Sequence, residues 1–247
     1  MPAPESKPAD PPKPPALEAP GPFMELPVEG HGAAVVSLPM GATGPRPVLI
    51  ATHGNFDRPD WQCDVWRKIA GGDCFILCPR GVARRDSPGP GDIRYAYPTN
   101  EALEKEIRAG LAALRARFPE HVDPGPILYA GFSQGAIMGV SIVVRDPALF
   151  PRVVLVEGGH DKWSPGAAAA YAKGGGQRVL FACGQPGCVA AAKPRAAHLE
   201  KANVLTKVVY GKDVGHTYDG AVLDEVRAAL PWVVEGDARF GGPSEKR

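Results

Sequence analysis

The sequence predicts an α/β protein: a three-layer α/β/α sandwich built on a mostly parallel sheet, without a large cap domain. Short apolar runs that suit buried strands alternate with stretches at helical spacing, which implies right-handed crossovers and a sheet covered on both faces. The 247 residues are 44% hydrophobic, which suits one domain with a sizeable core. The connections between predicted elements, including residues 158–177, are too short for a separate lid, so we expect an open site.

The first half of the chain supplies three predicted strands and two predicted helices. The helix 100–118 has the clearest pattern, because leucine and isoleucine recur at helical spacing from Leu103 to Leu114. Residues 81–99 are rich in glycine and proline, so we expect a surface loop there. In chain order, the predicted elements are an edge strand at 34–38, a buried strand at 47–52, a helix at 60–70, a buried strand at 74–78 and the helix at 100–118.

The second half continues the alternation and ends on a helix. The predicted helix 189–202 contains Pro194, where we expect it to break or begin. In chain order, the predicted elements are a strand at 127–130, a helix at 134–144, a strand at 153–156, a helix at 164–173, a strand at 178–182, a helix at 189–202, a strand at 206–210 and a helix at 221–230.

Composition divides the chain into a tail, one domain and a short end. Proline and alanine dominate from Pro2 to Pro22, and such a segment buries too little apolar surface to order itself. We therefore expect residues 1–30 to be a disordered Pro-rich tail or linker, 31–240 to be a single α/β domain and 241–247 to be flexible. The tail belongs either to a cytoplasmic protein or to an exported one whose signal was removed.

The net charge and the hydropathy of the sequence argue against a nucleic-acid partner and against a membrane span. Lys and Arg total 28 against 27 for Asp and Glu, so the basic excess of a nucleic-acid-binding protein is missing and we expect no nucleic-acid partner. No apolar run approaches the roughly 20 residues that span a bilayer. We expect no membrane span.

Five cysteines leave two interpretations open. They are either buried reduced thiols, or Cys183 pairs with Cys188 across a turn while Cys63 pairs with Cys78 or Cys74. Disulfides require an oxidising compartment, so with the tail they favour an exported protein (periplasmic, surface-tethered or secreted). No Cys-x-x-Cys pair begins a zinc site, and we expect neither a metal nor another cofactor.

The motif that carries chemistry is Gly-Phe-Ser-Gln-Gly at 131–135. It directly follows the strand 127–130 and runs into the helix 134–144, which is the context in which Gly-x-Ser-x-Gly forms a nucleophile elbow. The glycines on both sides allow the chain to approach closely, and the helix N-terminus favours a developing negative charge. We predict Ser133 as a catalytic nucleophile.

In this context the chain resembles the α/β-hydrolase superfamily, and the motif resembles the elbow of its phospholipase/carboxylesterase and dienelactone-hydrolase branch. The resemblance extends from about Val35 to Val234. It implies an α/β-hydrolase fold, a histidine base after the last strand, an acid that orients this base, and an oxyanion hole of two backbone N–H groups.

The oxyanion hole follows from the elbow and from one earlier loop. One donor is the backbone N–H of Gln134, which follows the nucleophile. The other is expected after the strand 47–52, where Thr-His-Gly-Asn-Phe at 52–56 resembles the superfamily's His-Gly oxyanion loop. The N–H of Asn55 is the predicted second donor, and His53 would hold the loop.

Of six histidines, His216 lies in the loop between the last strand and the last helix. That is the position at which the superfamily has its base, and the order Ser then His agrees with it. Gly215 would let the loop turn towards Ser133. His160 follows a strand end and would at most line the rim.

The acid departs from the family pattern. The superfamily usually supplies it after the strand corresponding to 178–182, but residues 183–188 read Cys-Gly-Gln-Pro-Gly-Cys and hold no carboxylate. Glu157 is our first candidate, because a carboxylate that ends an apolar strand is costly unless it has a partner, and some members place their acid there. Asp161 and Asp213 are alternatives, as is a Ser–His pair oriented by Gln185 or a carbonyl.

A serine at the elbow, rather than aspartate or cysteine, implies acyl transfer to water through an acyl-enzyme. We expect a hydrolase that cleaves small-molecule carboxylic esters. The alternatives are a thioesterase or peptidase that uses the same Ser–His pair, and a non-catalytic binding protein that keeps the fold, for which the missing acid is the best argument.

Overall fold

Strands and helices alternate along residues 13–240, which are the residues that the structure, a computed structural model, describes. The strands within them are β1 (Phe23–Leu26), β2 (Ala34–Ser37), β3 (Val48–Thr52), β4 (Phe75–Cys78), β5 (Val82–Ala83), β6 (Tyr95–Ala96), β7 (Leu128–Phe132), β8 (Arg152–Val156), β9 (Arg178–Cys183) and β10 (Leu205–Tyr210). The α-helices are α1 (Pro59–Ala70), α2 (Asn100–Arg117), α3 (Gln134–Arg145), α4 (Pro165–Lys173), α5 (Pro186–Lys201) and α6 (Ala221–Val234).

Eight of these strands form one sheet in the order β1-β2-β4-β3-β7-β8-β9-β10. The pairs β1–β2 and β2–β4 are antiparallel, and every other pair in this sheet is parallel. The predicted mostly parallel sheet is therefore confirmed. The parallel strands all end at the same edge, which is where ligands bind in sheets of this kind.

The sheet divides the core into two apolar layers, because successive side chains of a strand point to opposite faces. In β3, Leu49 packs with the layer under α1 and α6, whereas its neighbour Ile50 packs with the layer under the other four helices. Trp66 from α1 and Val226 from α6 fill the first layer. The predicted three-layer sandwich is confirmed.

Strand β1 lies where the sequence predicted a tail. Phe23–Leu26 pairs antiparallel with β2, and Leu17 is buried ahead of it. The predicted disordered segment 1–30 therefore does not describe residues 17–30, because apolar side chains among the prolines bury themselves against the sheet. The prediction that β2 is an edge strand is also wrong, because β2 lies between β1 and β4. Residues 1–12 and 241–247 lie outside the described residues.

The prediction for helix α5 also needs correction. Helix α5 begins at Pro186 and continues through Pro194, where a break or start was expected. Proline at the first helical position has no N–H to leave unpaired, and the buried face formed by Ala192, Ala196 and Leu199 keeps the helix continuous despite Pro194.

Within residues 13–240, no helix is long and apolar enough to span a membrane.

The predicted surface loop 81–99 contains a small ordered unit. Its two ends form a hairpin, in which β5 pairs antiparallel with β6. The polar composition of the loop hid these two-residue strands.

The cysteines follow the disulfide interpretation. Cys183 pairs with Cys188, and Cys63 pairs with Cys78 rather than with Cys74. Cys74 is a buried free thiol, and burial raises its pKa to about 12.

Candidate active site

Ser133 occupies the sharp turn between β7 and α3. Its backbone has φ 48° and ψ −111°, a strained conformation for a residue that is not glycine. Two backbone hydrogen bonds fix it: its N–H donates to the carbonyl of Val156 on β8 (2.9 Å), and its own carbonyl accepts from Ile137 in the first turn of α3 (2.9 Å). The turn leaves the side chain partly accessible.

The flanking glycines are needed for space. A Cβ on Gly135 would lie 2.4 Å from Oγ1 of Thr52 and 2.7 Å from its carbonyl oxygen. A Cβ on Gly131 would lie 2.7 Å from the backbone nitrogen of Ala136. The close approach expected from the motif is thus present on both sides of Ser133.

His216 comes from the loop between β10 and α6 and faces the serine. Its Nε2 lies 2.9 Å from Oγ of Ser133. The loop turns at Gly215, whose φ of 87° is in the region that favours glycine. The imidazole also packs against Phe132, with ring centroids 5.0 Å apart.

Glu157 completes the arrangement from the end of β8. Its Oε2 lies 3.1 Å from Nδ1 of His216, and only 2% of its side chain is exposed. The other oxygen, Oε1, accepts hydrogen bonds from the backbone N–H groups of Gly184 and Gln185. Gln185 is the N-cap of α5, so the carboxylate also lies at the positive end of a helix dipole. These partners offset the cost of burying the charge.

The other two candidate carboxylates have different partners. Asp161 is exposed and pairs with Lys162 (3.0 Å). Asp213 is exposed and accepts a hydrogen bond from the hydroxyl of Tyr210. Of the three acids considered from the sequence, the structure therefore brings only Glu157 to His216.

The two predicted oxyanion donors lie in segments that meet beside the nucleophile: Asn55 in the loop after β3 and Gln134 at the start of α3. A Cβ on Gly54 would lie 3.3 Å from the Cβ of Ser133, so the loop 53–57 packs directly against the elbow. Within the described part of the chain, neither the N–H of Asn55 nor that of Gln134 donates to a protein acceptor. Both remain available to a ligand.

His53 fixes the oxyanion loop from inside the protein. It is fully buried, and its two ring nitrogens lie 2.7 Å from the carbonyl oxygen of Gly54 and 2.8 Å from that of Arg80. Its ring stacks on Tyr97, with centroids 4.4 Å apart. The backbone of Tyr97 is in turn held at both its N–H and its C=O by the side-chain amide of Gln134.

Asp57 and Tyr218 are site residues that the sequence reasoning missed. The buried carboxylate of Asp57 accepts from the N–H of Gly54 (3.1 Å), the N–H of Arg58 (2.8 Å) and the hydroxyl of Tyr218 (3.0 Å). Burial and then the charge of Asp57 raise the pKa of Tyr218, so its hydroxyl stays protonated and donates. This contact joins the oxyanion loop to the loop of the base. No sequence pattern marked it, because the two residues are 161 positions apart.

A cavity of about 480 Å³ opens beside His216, within the size range of small-molecule sites. Five apolar or aromatic side chains line it (Phe56, Trp61, Val65, Phe132 and Tyr218), together with polar and charged ones that include Asp57, Asp64, Lys68 and Asp219. Its rim carries an ion pair between Lys68 and Asp64 (2.7 Å). A larger cavity of about 610 Å³ lies between α1 and the end of α6 and includes none of the predicted site residues.

No protein-family model and no curated protein matches the chain. Solved structures do match it. TT1662 from Thermus thermophilus is 18% identical, with 87% of this chain and 98% of that chain covered and a TM-score of 0.60. A Bacillus cereus carboxylesterase is 19% identical (81% and 92% covered, TM-score 0.52). A dienelactone hydrolase-like promiscuous phosphotriesterase from metagenomic libraries is 17% identical (84% and 94% covered, TM-score 0.57). At these identities the likeness concerns the fold: the chain has the α/β-hydrolase fold that the elbow motif implied.

Proposed function

We propose that the chain is a serine hydrolase that cleaves carboxylic esters of small molecules through an acyl-enzyme intermediate. One observation carries the proposal: Ser133, His216 and Glu157 form a continuous hydrogen-bonded chain, with Ser133 in a strained turn at the carboxyl edge of the sheet. A nucleophile, a base in hydrogen-bond reach and a group that orients the base are the three parts that acyl transfer requires.

In the acylation step, Oγ of Ser133 attacks the ester carbonyl carbon while Nε2 of His216 takes its proton. The carbonyl π bond breaks and its electron pair moves onto the oxygen. When the tetrahedral intermediate collapses, the bond to the alcohol oxygen breaks and His216 returns the proton to that oxygen. The products are the free alcohol and an ester between the acyl group and Ser133.

In the deacylation step, water takes the place of the alcohol. His216 removes a proton from the water as it attacks the acyl carbon, and then protonates Oγ of Ser133 as the acid leaves. The serine and the neutral imidazole are regenerated. The open cavity beside His216 supplies water access from the solvent side.

The negative charge on the intermediate's oxygen is assigned to the N–H groups of Gln134 and Asn55. Both are free of acceptors in the described residues, and Gln134 begins α3, whose dipole favours negative charge there. Each such donor contributes about 3–4 kcal/mol to lowering the barrier in enzymes of this chemistry.

Glu157 orients the imidazole and stabilises its protonated form. The hydrogen bond that it accepts from Nδ1–H fixes the tautomer in which Nε2 is free to accept the serine proton. This also bears on the alternative of a non-catalytic binding protein, whose main support was the missing acid. A buried carboxylate in contact with His216 favours the enzyme.

The substrate class is supported by the cavity and by the neighbours. The cavity has aromatic and apolar side chains interspersed with charged ones, is open to solvent and is modest in volume, which suits a short or aromatic group better than a long acyl chain. The solved structures that share the fold include a carboxylesterase and a dienelactone hydrolase-like phosphotriesterase. We therefore expect faster turnover of acetate and butyrate esters than of octanoate esters.

The proposal is tested by hydrolysis of p-nitrophenyl acetate, butyrate and octanoate. We expect Ser133→Ala to lose at least about 10⁴-fold in kcat, because no nucleophile remains. Glu157→Gln is expected to lose about 10³- to 10⁴-fold, because an amide cannot stabilise the imidazolium.

Asp161→Asn is the matched control for the acid, since it removes a carboxylate from the same connection that contacts Lys162 and not His216. It should hydrolyse all three esters at the wild-type rate. Absence of turnover on every ester, or equal turnover in wild type and Ser133→Ala, would contradict the proposal and favour the binding protein.

A further inference from the structure

The disulfide Cys183–Cys188 closes a short loop next to the candidate acid. It links the last residue of β9 to the first turn of α5 and encloses Gly184, Gln185, Pro186 and Gly187. Both cysteines are buried. Their sulfurs and a carboxylate oxygen of Glu157 all lie within 4.8 Å of one another. The disulfide is thus part of the immediate surroundings of Glu157.

The enclosed loop holds Glu157 through its backbone. The N–H groups of Gly184 and Gln185 both donate to Oε1 of Glu157, leaving Oε2 for His216. The loop therefore supplies both of the backbone hydrogen bonds that fix the carboxylate. Since these N–H groups come from adjacent residues, their direction depends on the conformation of the loop.

The same loop holds the segment that carries the base. The carbonyl of Gly184 accepts from the N–H of Gly215, the residue before His216 (3.2 Å). The carbonyl of Cys183 accepts from the N–H of Gly211 (2.8 Å). A Cβ on Gly184 would lie only 2.3 Å from the carbonyl oxygen of Gly215, so the two loops are in direct backbone contact.

We propose that the Cys183–Cys188 disulfide is a positioning device for the catalytic His–Glu pair. By closing the loop, it fixes the two N–H groups that donate to Glu157 and the Gly184 carbonyl that accepts from Gly215 of the base loop. It thereby sets the position of His216 relative to Ser133. The inference rests on the proposed function, because it concerns how that reaction is supported. A shift of about 1 Å in such a group can cost about 100-fold in rate.

We expect loss of the Cys183–Cys188 disulfide to lower kcat while KM stays nearly unchanged. The substrate cavity is lined by residues of the oxyanion loop, α1 and the base loop together with Phe132, and no residue of 183–188 contributes to it. Opening the disulfide therefore removes no residue that lines the cavity and reaches the cavity only through His216 and its loop, so we expect the effect to fall mainly on kcat. A disulfide that merely stabilised the fold would produce no such separation.

The experiment compares C183A/C188A with C63A/C78A, the second disulfide of the same chain and the matched control. We expect C183A/C188A to lower kcat for p-nitrophenyl butyrate by about 10- to 100-fold with KM within about twofold. C63A/C78A should keep the wild-type kcat. A kcat for C183A/C188A within twofold of wild type, or equal losses in both variants, would overturn the proposal.

The route through Glu157 is tested in a double-mutant cycle. In the Glu157→Gln background, C183A/C188A should cost less than about threefold further, because the positioned group is already missing. Full additivity of the two losses would show that the disulfide acts elsewhere and would overturn the proposal.

A second measurement covers the case in which C183A/C188A does not fold. C63A/C78A retains only the Cys183–Cys188 disulfide. A dithiol such as dithiothreitol reduces it by passing two electrons and two protons to the sulfurs, while the dithiol closes to its cyclic disulfide. We expect reversible loss of kcat with an unchanged circular dichroism spectrum. Unfolding on reduction, or no loss of kcat, would overturn the proposal.

The two proposals fail in different ways. If wild type does not hydrolyse esters, or Ser133→Ala hydrolyses them equally well, the proposed function itself is wrong. If wild type is active through Ser133 but C183A/C188A matches it, only the positioning role is wrong.

Discussion

Asp57 joins parts of the candidate site that are far apart in the sequence. Its buried carboxylate receives hydrogen bonds from the oxyanion loop at Gly54, from the start of α1 at Arg58 and from Tyr218 in the base loop. We infer that it keeps the oxyanion donor and the base in register. Its role is positional, since its oxygens are occupied by these donors.

This role predicts the effect of removing the Tyr218 hydroxyl. Tyr218→Phe should lower the free energy of unfolding by about 1.5–3 kcal/mol, because a hydrogen bond to a buried charged group is lost. It should also lower kcat about tenfold by loosening the base loop. Urea unfolding and p-nitrophenyl butyrate kinetics measure the two effects.

Tyr210→Phe is the control for this variant. It removes a hydroxyl of the same kind, which contacts Asp213 at the exposed end of β10. We expect it to leave both unfolding and kinetics unchanged. If Tyr210→Phe and Tyr218→Phe behave alike, the contact with Asp57 has no special role.

At the residue scale, the sequence predicted the site from local patterns and physical cost. Ser133 follows from the strand–turn–helix context, and His216 from its position after the last strand. Glu157 was the first candidate because a carboxylate at the end of an apolar strand needs partners, and the structure supplies three of them. The contact of Asp57 with Tyr218 could not be predicted, because nothing in either local segment specifies a partner so distant in sequence.

At the scale of elements, we expect one disulfide to contribute more to stability and the other to contribute more to kcat. Cys63–Cys78 spans 15 positions and Cys183–Cys188 spans 5, and the longer loop restricts the unfolded chain more. We expect C63A/C78A to lower the free energy of unfolding by about 3 kcal/mol and C183A/C188A by about 2 kcal/mol.

Urea unfolding of both variants checks this order. Together with the kinetics, it separates the roles: the disulfide that contributes more to stability should contribute less to kcat. If stability and kcat fall in parallel in both variants, the Cys183–Cys188 loop acts through the stability of the fold alone.

Element prediction failed where tertiary packing overrides local preference. Phe23–Leu26 is a short strand within a Pro-rich stretch, and only its pairing with β2 reveals it. Pro194 lies inside α5 because the buried face of that helix packs on the sheet. The apolar runs of β3 and β9 were predictable within one residue, because strands buried on both faces read as continuous apolar segments.

At the scale of the whole molecule, the fold class was predictable, whereas the antiparallel pairing of β1 and β2 at one side of the sheet was not. Alternating apolar runs specify a parallel sheet with crossovers, whereas the antiparallel addition of β1 and β2 depends on contacts with β4. The candidate site lies at the carboxyl end of the parallel strands, in the segments that follow β3, β7, β8 and β10. It is therefore built almost entirely from the part of the fold that the sequence specified best.

Because Cys74 is buried in the core, we predict that its thiol is unreactive in the folded protein. Burial raises the pKa of Cys74 to about 12, so at pH 8 the thiol stays protonated and is a poor nucleophile. Iodoacetamide at pH 8 should leave Cys74 unmodified in the native protein and modify it in urea, as mass spectrometry of the Cys74 peptide would show. Labelling of the native protein at the rate of a free cysteine would mean that the layer beneath α1 opens readily.

The sign of the pH dependence follows from the same shift. Because folding raises this pKa, the folded state holds the proton more tightly than the unfolded state. The contribution of Cys74 to stability is therefore complete below the unfolded value near 9 and is lost as the pH rises towards about 12. Urea unfolding of wild type and Cys74→Ala at pH 8 and pH 10.5 should show a larger decrease for wild type.

The proposed function requires that Ser133 is a nucleophile activated by His216. The most direct measurement is covalent labelling with a fluorophosphonate, followed by mass mapping of the labelled peptide in wild type, Ser133→Ala and His216→Ala. We predict that the label is found on Ser133, is absent from Ser133→Ala and forms at least about 100-fold more slowly in His216→Ala. A label on another residue, or equal labelling rates in wild type and His216→Ala, would contradict the roles assigned to Ser133 and His216.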